Sequence, residues 1–168
     1  MSLGRPSIAT AVLGLALLAA AVKVEAQDGP PLKKVVVTLP FQEVEVIVKS
    51  EAQRQNLNLV NVLDIQKGME NRGQTFRPYR IYQFCNLEMG MRVLADSPDY
   101  GAFALCTIVI YEVDAGRTAL VSARQGWVLK SLPDHKPSRA ALAAARQFER
   151  TIDEIFDAVI EEGKVRSK

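Results

Sequence analysis

Apolar positions along this chain change period several times, and each change marks a new element. Lys33 to Leu39, KKVVVTL, has the β-branched density of a strand, and Pro40 stops it. Phe41, Val44, Ile47, Val48 and Ala52 then fall on one helical stripe, which predicts a helix although VEVIV also alternates as a strand does. Within that stretch Glu43 and Glu45 are assigned to the solvated face. Leu57 to Ile65 opens by alternating Leu57 and Leu59 about Asn58, the pattern of a half-buried strand, and Asp64 caps a short helical turn over Gln66 to Asn71. Gly73 ends that turn.

A third strand runs from Tyr79 to Cys85, entered through Pro78, and Leu87, Met91 and Leu94 mark a helix that stops before Ser97-Pro98. Ala102 to Val113 and Arg117 to Arg124 flank Asp114-Ala115-Gly116 as a hairpin. Gly126-Trp127 lies in a loop after it, with Trp127 read as a core or dimer contact. From Ser138 to Glu162 the chain reads as a long amphipathic helix. Its apolar stripe is Leu142, Ala145, Phe148, Ile152, Ile155, Phe156 and Val159, Gly163 is its stop, and Asp153, Glu154 and Asp157 face water.

The first residues concern delivery. Arg5 precedes an apolar, Leu/Ala-rich stretch from Ile8 to Val22, followed by the small-residue signal Val24-Glu25-Ala26. This predicts a signal peptide over 1–26, a flexible lead-in over 27–31, one domain over 32–163 and a basic tail over 164–168. The apolar run falls short of the roughly 20 residues that span a bilayer, so the processed chain is expected to carry no membrane span and to be secreted or periplasmic. A leader of this length takes Arg5, Lys23 and Glu25 with it and lowers the formal charge of +2 to +1. Basic and acidic residues are otherwise interspersed, which is not a nucleic-acid footprint.

Known chemistries are excluded mainly by composition. With His135 the lone histidine and two cysteines in the chain, multi-histidine metal sites and a four-cysteine centre are ruled out. No CxxC, GxGxxG or GxxxxGK[ST] pattern occurs, so redox-pair and phosphate-loop motifs are missing. His135 stands between two prolines and reads as a solvated loop residue. No catalytic set emerges, no cofactor is indicated, and the candidate site is the cluster of chemistry around two turns: Cys85 and Asn86 at a strand-to-helix junction, Asp99 and Tyr100 at the next turn, Cys106 in the following strand, and Tyr82 as a pocket lip.

The segments YRIYQFCNLEMGMRVL, SPDYGAFALCTIVIYE and TALVSA, in that order, resemble the secreted branch of domain-of-unknown-function family 302. The family pattern has a Cys-Asn-Pro turn, a Pro-Asp-x-Gly turn and a Pro-Cys entering an apolar strand. Cys85-Asn86, Pro98-Asp99-Tyr100-Gly101 and Cys106 match it, while Leu87 and Leu105 replace prolines. The resemblance implies an α+β domain in which a curved, mainly antiparallel sheet packs against helices, with a long C-terminal helix, in a homodimer of no established reaction. The stripe of the last helix adds to the dimer expectation, being long for one small sheet to cover.

Export permits a Cys85–Cys106 disulfide worth about 3 kcal/mol in the chain-entropy model. The resemblance also implies cysteines at both positions in cytoplasmic relatives, where a disulfide would not persist, which makes packing the simpler role for each. Cys85, ahead of the cap Asn86, is either a thiol activated by the helix start or an apolar filler. Three functions follow. The chain is a binding or accessory module with a small ligand in a cleft, the reading that best fits a good core without a catalytic set; or a sulfur- or redox-handling protein using Cys85; or an inert interaction domain.

Overall fold

The computed structural model describes residues 31–103, 106–133 and 136–166; the expected leader, the lead-in up to residue 30, Leu105, His135 and Lys168 lie outside the described residues. Five strands, β1 (Leu32–Val37), β2 (Asn58–Asp64), β3 (Tyr79–Cys85), β4 (Cys106–Asp114) and β5 (Arg117–Ala123), form one antiparallel sheet in the order β1-β5-β4-β3-β2. Among the described residues five α-helices accompany them: α1 (Phe41–Arg54), α2 (Ile65–Glu70), α3 (Leu87–Leu94), α4 (Gln125–Lys130) and α5 (Arg139–Arg166), with a 3₁₀ helix over Pro98–Phe103. This is the expected α+β domain, with an antiparallel sheet, packed helices and a long last helix.

Period-2 alternation decides which strand residues enter the core. Tyr82 and Phe84 of β3, Cys106, Ile108 and Ile110 of β4 and Leu120 of β5 point to one face, where α1 and the C-terminal part of α5 cover them. A second apolar cluster joins Val93 of α3, Tyr100 of the 3₁₀ helix and Leu129 of α4 to Ala141, Ala144 and Ala145 at the start of α5. At about 1.5 Å per residue, α5 is long enough to serve both clusters. Its stripe from Ala145 to Val159 is thereby buried within the chain, so that stripe offers no surplus for a dimer contact.

Several local expectations change with packing. β2 is not half-buried: it is the edge strand, and every residue from Asn58 to Leu63 is exposed. In α3 the buried side chains are Met89 and Val93, while Leu87 and Met91 are exposed. Ala102 and Phe103 belong to the 3₁₀ helix rather than to a strand, and Trp127 lies in α4, partly exposed. Gly163 does not stop α5. The helix continues to Arg166, so Lys164 and Arg166 are its last turn instead of a tail, and Arg166 Nη1 reaches Glu43 Oε2 at 2.5 Å. Gly163 is buried against Leu39 and Val37 of the first strand region.

Candidate functional site

The second turn builds a cleft on the sheet face opposite α1. Gln83 of β3, Thr107 of β4 and Ala123 of β5 form its floor, the Gly101–Phe103 end of the 3₁₀ helix forms one wall, and Gln125 and Val128 of α4 form the other. Its volume is about 300 Å³. α4 is held in place by a close approach: the Gly126 amide donates to Glu149 Oε1 of α5 at 2.8 Å, and a Cβ on Gly126 would sit 3.3 Å from that oxygen.

Gln125 is 4% exposed, and its Oε1 accepts the hydroxyl of Tyr100. Among the described residues no acceptor pairs with its Nε2, so the amide N–H groups are what Gln125 offers to the cleft it lines. Burial raises the Tyr100 hydroxyl above its ordinary pKa, with Cys106 and Glu149 adding to the shift, so it stays a neutral donor. Asn61 Nδ2 donates to Gln83 Oε1 at 3.1 Å at the opposite side of the floor. The lining therefore combines two amides and a hydroxyl with the apolar surfaces of Ala102, Phe103 and Val128. Among the described residues that line it there is no charge and no acid–base pair.

The remaining expected site residues divide among other duties. Asn86 caps α3 by accepting from Met89 N at 3.1 Å, and its Nδ2 donates to the Asn56 carbonyl at 3.2 Å, so both ends of its amide are used structurally. Asp99 is exposed on the 3₁₀ helix. Cys85 is half-buried at the end of β3, Cys106 is buried, and both thiols are free. Burial pushes the Cys106 thiol up to about 12, with Cys85 contributing, so Cys106 is held in the unreactive thiol form. Cys85 is the thiol with access to solvent.

Tyr82 does not join this group. It points to the core side of the sheet, where its hydroxyl donates to Glu45 Oε1 of α1. Arg80 Nη1 donates to the same oxygen at 2.5 Å and Arg80 Nε donates to Asp64 Oδ2 at 3.0 Å, while the guanidinium lies 5.2 Å from the Phe41 ring centroid. Burial opposes the Arg80 charge, yet its bonds to Glu45 and Asp64 outweigh that and raise its pKa. Asp64 is held below the usual carboxylate range by the Lys67 backbone N–H, against some desolvation and with help from Arg80. Every member is engaged with another, so the cluster is a clamp between α1, β2 and β3 rather than a reactive centre.

Glu45 is thus buried, not solvated as its helix face suggested. The signal lay in its spacing: it falls four residues after Phe41 and three before Val48, inside the apolar stripe. Gln125 had no comparable signal, because only the docking of α4 buries it. Among the described residues no three His, Cys, Asp or Glu side chains converge as metal ligands.

The family model for the domain of unknown function DUF302 matches residues 33–158. The chain belongs to the DUF302 family. An uncharacterized protein of Aquifex aeolicus is 26% identical over 91 residues, 54% of this chain, and the match spans 58% of that protein's length. A crystal structure of an uncharacterized conserved DUF302 protein from Bacillus stearothermophilus superposes with a TM-score of 0.67 at 19% identity, covering 76% of this chain and 97% of that one. At that identity the likeness concerns the fold. The DUF302 match ends at residue 158, so it takes in the cleft, the clamp and most of α5.

Proposed function

We propose that this DUF302 protein is an exported binding or accessory domain, secreted or periplasmic and homodimeric, whose cleft beneath the 3₁₀ helix holds a small neutral ligand. The support is Gln125: a buried amide, oriented by Tyr100, whose N–H groups have the cleft as their outlet. These N–H groups open into the cleft rather than being sealed off, since the one buried side-chain donor without a partner among the described residues is Arg124 Nε, so a ligand carbonyl or hydroxyl oxygen there takes the place of water on an already oriented donor. At about 300 Å³ the cleft sits at the lower end of ligand pockets, which run from about 300 to 1,000 Å³. An uncharged lining has no counter-ion to offer an anion or cation, so a neutral ligand with one acceptor end and one apolar end fits best.

The test is native mass spectrometry and an absorption spectrum of protein purified from the exported fraction, repeated with Gln83→Leu, which alters the exposed floor and leaves Tyr100–Gln125 intact. A co-purifying small molecule that is lost in the variant is the expected result. An unmodified mass, a featureless spectrum and no thermal shift with neutral carbonyl compounds overturn ligand binding. Export is tested separately: N-terminal sequencing should begin at Gln27, whereas cytoplasmic protein retaining Met1 rejects it.

A further inference from the structure

From Asn58 to Ile81 no residue is buried, although this stretch contains Leu59, Val60, Val62, Leu63, Ile65, Met69 and Phe76. α2, which lies within it, contains no buried side chain at all. Ordering each residue costs about 1–2 kcal/mol of backbone entropy, and the rest of the fold offsets this by burying apolar surface that this excursion leaves in water. Within the excursion β2 is the sheet edge: among the described residues it pairs with β3 and has no strand on its other side. Leu59, Val60, Val62 and Leu63 are 46, 56, 38 and 40% exposed, and no charged residue occurs from Gln55 to Leu63.

The two edges of the sheet differ in chemistry. β1 begins after Pro31 and carries Lys33, tied to Asp153 at 2.5 Å, and the exposed Lys34, the devices that keep a strand edge from pairing. β2 has a single such device, a bulge between Leu59 and Asn61. Pairing β2 of one molecule with β1 of the next would propagate into an open filament, and the β1 lysines and proline oppose it. Antiparallel pairing of β2 with β2 of a second copy is two-fold symmetric and closes after two molecules. It sets one apolar edge, uncharged from Asn58 to Leu63, against an identical one.

We infer that the free edge of β2, Asn58–Asp64, is the surface on which a second copy of this chain docks, joining two five-stranded sheets edge to edge. The inference rests on the homodimeric reading and names its interface. The test is light scattering of residues 27–168 as wild type, as the Val60→Lys/Val62→Lys double variant, and as Val36→Lys beside the other edge. In proportion to 18.5 kDa for the full chain, a monomer is about 16 kDa and a dimer about 31 kDa. The expected result is dimer, monomer and dimer, in that order.

A double variant that remains a dimer overturns this surface and leaves the homodimer standing; a monomeric wild type overturns both. Circular dichroism checks that the variants fold, which exposure of both valines favours. Independently of any variant, hydrogen exchange on the wild type should show protected amides across Asn58–Asp64 that lose protection on dilution. Concentration-independent exchange at alternate amides of β2 overturns the inference.

Discussion

Glu45 of α1 receives the Tyr82 hydroxyl and the Arg80 guanidinium of β3 on a single carboxylate oxygen, and Arg80 Nε carries the link on to Asp64 of the edge strand. A hydrogen bond to a charged group contributes about 1.5–3 kcal/mol, and a buried carboxylate that loses one donor keeps its desolvation cost. Tyr82→Phe should therefore lower unfolding stability in urea by about 1.5 kcal/mol, since Arg80 still serves Glu45. Glu45→Ala should cost more, because it leaves both donors short. A loss under about 0.5 kcal/mol for both variants refutes the clamp.

Alkaline pH should weaken the fold through Cys106. Its thiol is pushed up to about 12 from an ordinary value of 9.0, mainly by burial. Above pH 9 the unfolded chain loses this proton while the folded chain retains it, so stability is complete below about pH 9 and declines as pH rises toward 12. The raised hydroxyls of Tyr82 and Tyr100 act in the same direction above pH 10. Urea midpoints between pH 8 and 11 measure the slope, and Cys106→Ala should flatten its earliest part. A flat profile over that span contradicts the buried protonated thiol.

Cys85 and Cys106 should differ in labelling. In the reduced native protein, iodoacetamide should modify half-buried Cys85 well before Cys106, whose sulfur is both covered and protonated. Peptide mass spectrometry over a time course reads the difference, and two thiols should react alike once denaturant is added. Equal, slow labelling of both in the native state ends the case for a thiol function at Cys85.

Two glycines should respond oppositely to alanine. Gly163 lies inside α5, and a Cβ there would stand 3.7 Å from Leu39 and Val37, an ordinary contact. Gly163→Ala should stabilise by about 0.5–1 kcal/mol, the difference in helix propensity. Gly126→Ala presses on Glu149 Oε1 at 3.3 Å and disturbs the bond that docks α4, so it should destabilise. Thermal melts of the two variants compare them directly, and a shared sign of the shift rejects this account.

Local chemistry was legible from the sequence because it acts over a few residues. The Tyr79–Cys85 strand, the Asp64 and Asn86 caps and the Asp114–Arg117 hairpin connection follow from alternation, side-chain oxygens three residues ahead of a free N–H, and a glycine with φ of 81° at Gly116. The family resemblance, carried by the same stretches, supplied the fold class. What neighbours bring from far along the chain was not legible. Glu45 is buried because Arg80 and Tyr82, more than thirty residues later, neutralise and bond it; α5 runs through Gly163 because β1 covers that face; and Tyr82 and Tyr100 part company because alternation sends one to the core and the 3₁₀ helix carries the other to Gln125. Periodicity states that a face is apolar. Only packing decides what lies against it, and among the described residues no strand lies on the outer edge of β2.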